Sequence, residues 1–170
     1  MDVQNTPSIV TKSIYYLVYN TLVERDVASN DIIPALAESW TMDSPTELVF
    51  NLRQGVKFHD GSDFTAEDVK FTYEKALEST GSKAKLASLD SIETDGDYVV
   101  KIKLNKVNMD FLDLLTDPSL SIMSKKAFET LGDEEGIMQG TGPYKYVEWN
   151  QGVYLDLTAN EDYWGGAPAT

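Results

Sequence analysis

The sequence predicts a mixed α/β fold of the α+β kind, with antiparallel hairpins beside separate helices. Three observations carry that expectation. Apolar residues recur at every second position over 48–52 and again over 98–104, the pattern of strands with one buried face. Asp95-Gly96 stands between two such runs, 89–94 and 98–104, and is a strong hairpin-turn pair. Val69, Tyr73, Ala76 and Leu77 instead recur at helical spacing. Hairpins interspersed with isolated helices argue against a purely parallel βαβ sheet.

Taken in order, the first 30 residues read as helix. Ile9, Ile14, Leu17 and Val18 form its apolar stripe, flanked by Tyr15, Tyr16 and Tyr19. Pro34-Ala35-Leu36-Ala37-Glu38-Ser39-Trp40 is a compact segment leading into the polar stretch 41–46, and Asp43-Ser44-Pro45 supplies a turn. Leu48, Phe50 and Leu52 then alternate with Val49, Asn51 and Arg53 as a strand. Thr65 and Asp68 form a capping box with Asp in place of Glu, and Phe64 and Val69 occupy the staple positions, so a helix is expected over 66–78. Glu67 and Asp68 suit the positive end of its dipole. In the first hairpin Tyr98, Val100, Ile102 and Leu104 point one way, with Val99, Lys101 and Lys103 the other. Short helices are expected around 110–115 and 125–131. A second hairpin, 144–149 with 153–159, closes around Asn150-Gln151-Gly152.

Composition narrows the function classes. A length of 170 residues suits one domain or slightly more. With 14 Lys and Arg against 28 Asp and Glu, the net charge is −14, so the chain has no cation surplus to displace counterions from nucleic-acid phosphates. Hydrophobic residues at 42% and aromatics at 11% are too many for an acidic disordered tail. The absence of cysteine removes disulfides, thiolate metal sites and a cysteine nucleophile together. No apolar run reaches the roughly 18 residues of a membrane span. Met1-Asp2-Val3-Gln4-Asn5 is not the start of a signal peptide, so any leader lies outside this sequence.

Catalytic motifs are missing. There is no G-x-S-x-G, Walker A or G-x-G-x-x-G. His59, the only histidine, stands beside Asp60 and invites a general-base or metal-ligand reading. A turn residue is the simpler one, because a metal needs three or four converging ligands. Asp60, Asp63, Glu67 and Asp68 suggest calcium by number, yet their order lacks the alternating ligands and terminal glutamate of a calcium loop. A turn aspartate plus helix capping accounts for all four. With 28 acids a glycosidase-like carboxylate pair stays open, although nothing singles one out. Trp40, Trp149 and Trp164 read as packing residues, with an aromatic-lined cleft as the alternative. Gly142 in Thr141-Gly142-Pro143-Tyr144 implies an unusual backbone angle or a close approach.

Together these segments resemble the extracellular solute-binding proteins of oligopeptide, dipeptide and nickel ABC transporters, family 5. Pro34–Trp40 matches its P-x-L-A-E-S-W segment, and 52–61 its L-R-x-G-V-K-F-x-D-G signature. Thr65-Ala66-Glu67-Asp68-Val69 continues as T-A-x-D-V. Gly140-Thr141-Gly142-Pro143-Tyr144 matches G-T-G-P-Y, and 160–168 matches N-x-x-Y-W-G-G-x-P. Five segments in the right order cover about residues 2–168.

The resemblance implies a periplasmic-binding-protein type II-like fold of two lobes that enclose a solute between them. It implies that residues 1–170 are a piece of the first lobe, with the second lobe beyond them. Within that piece, about 34–140 would be an inserted small subdomain, flanked by 1–33 and 141–170. Asp2-Val3 departs from the Asp-Pro step that precedes the cleft segment in relatives. The implied ligand-facing positions are Thr6, Pro7, Ser8 and Ile9, then Lys85 where relatives often carry an aromatic. Leu120 stands where nickel-binding relatives place an arginine, which counts against nickel. No cofactor, metal or catalytic residue is implied. The implied partners are a peptide or other small solute and the permease and ATPase of an ABC transporter, in the extracytoplasmic, lipid-anchored setting of such relatives. The rivals are a secreted hydrolase using Asp60 or Glu67 as acid and base, and an interaction domain without transporter neighbours.

Overall fold

A computed structural model describes residues 9–150 and 153–168, excepting the side chains of 9–13, 134 and 149. Its elements are α1 (Ile9–Val18), β1 (Val23–Arg25), β2 (Ile32–Pro34), β3 (Ala37–Ser44), β4 (Glu47–Leu52), α2 (Ala66–Glu78), β5 (Leu89–Thr94), β6 (Val99–Leu104), α3 (Phe111–Leu114), a 3-10 turn at Pro118–Leu120, α4 (Lys125–Gly136), β7 (Tyr144–Asn150) and β8 (Tyr154–Ala159). The mixed α/β expectation holds, and every sheet among the described residues is antiparallel.

The central sheet runs β3-β4-β6-β5. Its period-2 pattern places Leu48, Phe50 and Leu52 of β4 on the same buried face as Val100, Ile102 and Leu104 of β6. Helix α2 covers that face with Val69, Tyr73 and Ala76, all fully buried. The turn between β5 and β6 closes where Asp95 N–H reaches the Val99 carbonyl at 2.9 Å and Gly96 adopts φ 68°.

The N-terminal reading needs correction. The helix ends at Val18, and the chain continues as a β1–β2 hairpin rather than more helix. Partners elsewhere in the chain decide this: the Val18 carbonyl accepts from Gly142 N–H at 2.9 Å instead of a following turn. Asp26 then accepts from the N–H groups of Ala28 and Ser29, fixing a tight turn in which Asn30 takes φ 62°. The buried stripe also differs. Tyr15, Val18 and Tyr19 are buried, while Tyr16 and Leu17 are exposed. The polar stretch after Trp40 belongs to the exposed edge strand β3, so the turn expected at Asp43-Ser44-Pro45 falls at Pro45-Thr46. The helix expected over 125–131 runs on to Gly136 with a break at Gly132, φ 80°.

Two hydrophobic clusters form among the described residues. The larger sits between α2 and the central sheet and extends to Leu115, Leu120 and Ile122; the smaller joins Tyr15 and Val18 of α1 and the following Tyr19 to Ile137 and Leu157. Phe64 and Val69, the staple pair, are both fully buried in the larger one.

The capping box at α2 forms and does more than cap. The Asp68 carboxylate accepts Thr65 N–H at 2.9 Å and the Thr65 hydroxyl at 3.1 Å. Its other oxygen accepts Lys125 N–H, the first residue of α4, at 2.9 Å. One buried carboxylate thus serves two helix N-termini. Thr65→Ala should cost about 0.5–2 kcal/mol. Asp68→Ala should cost more, about 3 kcal/mol, because two backbone donors lose their acceptor where water does not reach. Chemical unfolding of the intact protein checks the order of the two variants.

Candidate functional site

The segments that carried the family resemblance converge on Asn20, just beyond α1. Its side-chain carbonyl accepts the Thr141 hydroxyl at 3.1 Å and the Trp164 indole N–H at 3.1 Å. Its amide nitrogen donates to Glu24 at 3.2 Å and to the Tyr163 hydroxyl at 3.3 Å. Its backbone carbonyl accepts Ile122 N–H at 3.0 Å. Asn20 is almost fully buried, and its bond to Thr141 is made where water competes least. Arg53 completes the junction: its guanidinium lies 4.5 Å over the Trp164 ring, and its Nε donates to the Ala35 carbonyl.

Gly142 is needed there for close approach, not for a special backbone angle. A Cβ on it would meet backbone atoms of Leu17, Val18 and Tyr19, and one on Gly140 would meet the Val18 carbonyl. The Gly140–Tyr144 segment therefore lies flush against the end of α1.

On the outer side of α1, Tyr16 overlooks an open depression of about 360 Å³, bounded by Arg25, Asp113, Thr116, Asp117 and Pro118. Arg25 pairs with Asp113 across it. Burial disfavours the Asp117 carboxylate, but Ser119 N–H and hydroxyl, at 2.9 and 2.7 Å, and the charge of Lys85 at 3.2 Å outweigh burial and hold its pKa below the ordinary value. Burial, with the Asp117 and Glu24 carboxylates, pushes the Tyr16 phenol up. The depression offers an exposed ring and paired charges of both signs, a lining suited to a polar solute and lacking a nucleophile with its base.

The sequence-derived positions fall in different places. Thr6, Pro7 and Ser8 lie outside the described residues, and Ile9 opens α1. Lys85 bonds Ser119 at 2.7 Å and pairs with Asp117, which lines the depression. Leu120 is fully buried beneath it in the larger core. Lys85 thus bonds the 3-10 turn through Ser119, and Leu120 is the last residue of that turn. The four acids weighed for calcium are engaged singly: Asp60 by Ser62, Asp63 by Lys57, Glu67 by Lys125, and Asp68 by Thr65 and Lys125. No group of three or more His, Asp or Glu among the described residues is placed to hold a metal. Trp40 and Trp164 pack against the larger core. Tyr16, Asn20, Arg25, Asp113 and Asp117 were not singled out as site residues by the sequence. Only Asp117-Pro118 carried a local signal, that of a capped turn.

The architecture is that of a periplasmic-binding-protein lobe. A binding protein from Helicobacter pylori, the ABC transporter-associated DppA in complex with the peptide STSA, superimposes with a TM-score of 0.85 and 30% identity, over 98% of this chain and 38% of that one. Residues 31–170 match the family described as Bacterial extracellular solute-binding proteins, family 5 Middle, and the chain belongs to that family. Heme-binding protein A of Haemophilus influenzae is 34% identical over 176 residues, covering 88% of this chain and 32% of the relative. Oligopeptide-binding protein AppA of Bacillus subtilis is 35% identical over 164 residues, 89% of this chain and 30% of the relative. The chain spans about a third of the length of these relatives. No helix among the described residues is long and apolar enough to cross a membrane.

Gly142→Ala tests the close approach. Its Cβ would press on backbone rather than on a flexible side chain, so destabilisation of about 1–3 kcal/mol or more is expected. Thermal unfolding of the variant beside the intact protein measures it; an unchanged midpoint would contradict the fit described.

Proposed function

We propose that this chain is the first-lobe portion of a solute-binding component of an ABC uptake transporter, and that its solute is a peptide. The similarity to the H. pylori protein solved with a peptide, over nearly the whole chain, is the observation that carries this reading. AppA, named an oligopeptide-binding protein, supports it. In this reading residues 34–140 form the inserted subdomain, flanked by 1–33 and 141–170. The solute lies against Thr6–Ile9 at the start of α1. Lys85 stands at the cleft edge, and Leu120 supports the 3-10 turn from below. The protein hands its solute to a membrane permease driven by an ATPase, works outside the cytoplasmic membrane, and is held there by a lipid anchor. In this reading it binds rather than catalyses; Asp60 and Glu67, weighed as acid and base, are engaged by Ser62 and by Lys125.

Enclosure from both sides removes a solute's surface from water, and one lobe alone does not supply it. Calorimetric titration of the full-length protein with short peptides should therefore show micromolar or tighter binding. Residues 1–170 alone should bind no more tightly than about the millimolar range, a free energy of only about −4 kcal/mol. Absence of peptide binding by the full-length protein would refute the peptide reading. Micromolar binding by this chain alone would refute the two-sided enclosure.

A further inference from the structure

In an Asp-Gly pair the glycine nitrogen can attack the carboxyl group of the aspartate before it, because glycine puts no Cβ in the way. The sequence holds two such pairs, Asp60-Gly61 and Asp95-Gly96. Both lie in turns and all four residues are exposed, so exposure does not separate them. Their hydrogen bonds do.

At the first pair both reacting groups are engaged. Gly61 N–H donates to the Phe58 carbonyl at 2.9 Å. The Asp60 carboxylate accepts Ser62 N–H at 2.9 Å and the Ser62 hydroxyl at 2.6 Å. Ser62 is itself buried, and its carbonyl accepts Phe58 N–H at 2.9 Å. His59 N–H, between them, donates to the Gly140 carbonyl at 2.9 Å. Nitrogen and carboxylate are thus held toward different partners.

The second pair stands at the tip of the β5–β6 hairpin. Its base is closed by Asp95 N–H on the Val99 carbonyl, but Gly96 N–H makes no hydrogen bond among the described residues. The Asp95 carboxylate meets Lys101 Nζ at 2.6 Å, and its side chain is 65% exposed, so water competes for that pair. Lys101 keeps the carboxyl group below its ordinary pKa, which slows attack near neutrality without tying the nitrogen.

We propose that Asp95-Gly96 is a site of spontaneous backbone modification, and that the fold protects the same dipeptide at Asp60-Gly61. The Gly96 nitrogen bonds to Cγ of the protonated Asp95 carboxyl group. The C–OH bond breaks, and the hydroxyl leaves as water with the proton of the nitrogen, closing a succinimide ring. Water then opens the ring. Attack at Cγ restores aspartate; attack at the Asp95 main-chain carbonyl leaves isoaspartate, with one extra carbon in the main chain. Water is the only co-reactant. The turn also bears on α2, because the Asp97 carbonyl accepts the N–H of Ala66, its first residue, at 2.7 Å. This inference does not depend on the identity of the solute.

Ageing the full-length protein at mildly acidic pH, followed by peptide mapping with mass spectrometry, tests it. In the native protein, succinimide and isoaspartate should accumulate at Asp95 several-fold faster than at Asp60. In denaturant the two sites should convert at similar rates, because hydrogen bonds of the fold are what separate them. Equal rates in the native protein overturn the proposal, and so does a gap that persists unchanged in denaturant. Absence of product at Asp95 over a period in which the denatured chain converts there would equally overturn it. Asp95→Glu keeps the charge for Lys101 but cannot close the five-membered ring. That variant should give no product at position 95, and product there would contradict the assignment.

Discussion

A single buried amide at Asn20 ties together parts of the chain that lie more than a hundred residues apart in sequence. Thr141 and Trp164 both donate to its carbonyl, and Ile122 closes on its backbone. An acceptor shared between two donors at a largely buried residue is hard to replace, since a buried donor left behind would be unpaired. This explains why the G-T-G-P-Y and Y-W-G-G segments sit where they do. Glycines of the first let its backbone approach α1, and polar side chains of both meet one partner on arrival. Stacking of Arg53 on Trp164 extends the same junction to the strand that leads into the L-R-x-G-V-K-F signature.

A second buried polar group, Asp68, plays the matching part on the other side of the core. It satisfies backbone donors at the starts of both α2 and α4, and so ties the two helix N-termini together. Between these two polar points the packing is ordinary: a period-2 sheet face under one amphipathic helix. The acidic surplus lies mostly at the surface, in pairs such as Lys101–Asp95 and Lys103–Glu93, whose worth in water is small. The specificity of the fold resides in the two buried groups more than in the exposed charges.

Much of this was legible from residues close together in sequence. The strand alternation at 48–52 and 98–104, the Asp95-Gly96 turn and the helix over 66–78 depend on neighbours, and the structure reproduces them. The end of α1 did not depend on neighbours. Nothing between Val18 and Arg25 signals a stop as strongly as the Gly142 N–H that arrives from the far end of the chain. The burial of Tyr15 and Tyr19 in place of Leu17 has the same origin, because the covering residues, Ile137 and Leu157, come from the end of α4 and from β8. The polar edge strand β3 was unreadable because beyond Ala37 neither of its faces is buried, so no apolar alternation marks it. The residues gathered around the depression were not legible in the sequence. The depression beside Tyr16 is assembled from α1, β1 and the α3 region, whose charges look unrelated until the fold brings Arg25 to Asp113 and Lys85 to Asp117.

The family signatures thus read as joints of a scaffold, with Asn20 as the joint on which the others close. A double-mutant cycle between Asn20→Ala and Thr141→Val, read by unfolding of the intact protein, tests that claim most directly. Thr141→Val keeps the shape of the side chain and removes only the donor. If Asn20 is the shared acceptor, the double variant should be less destabilised than the sum of the single ones, with a coupling of about 1 kcal/mol or more. Additivity of the two substitutions to within about 0.3 kcal/mol would show that the two side chains do not depend on each other, and would contradict the account.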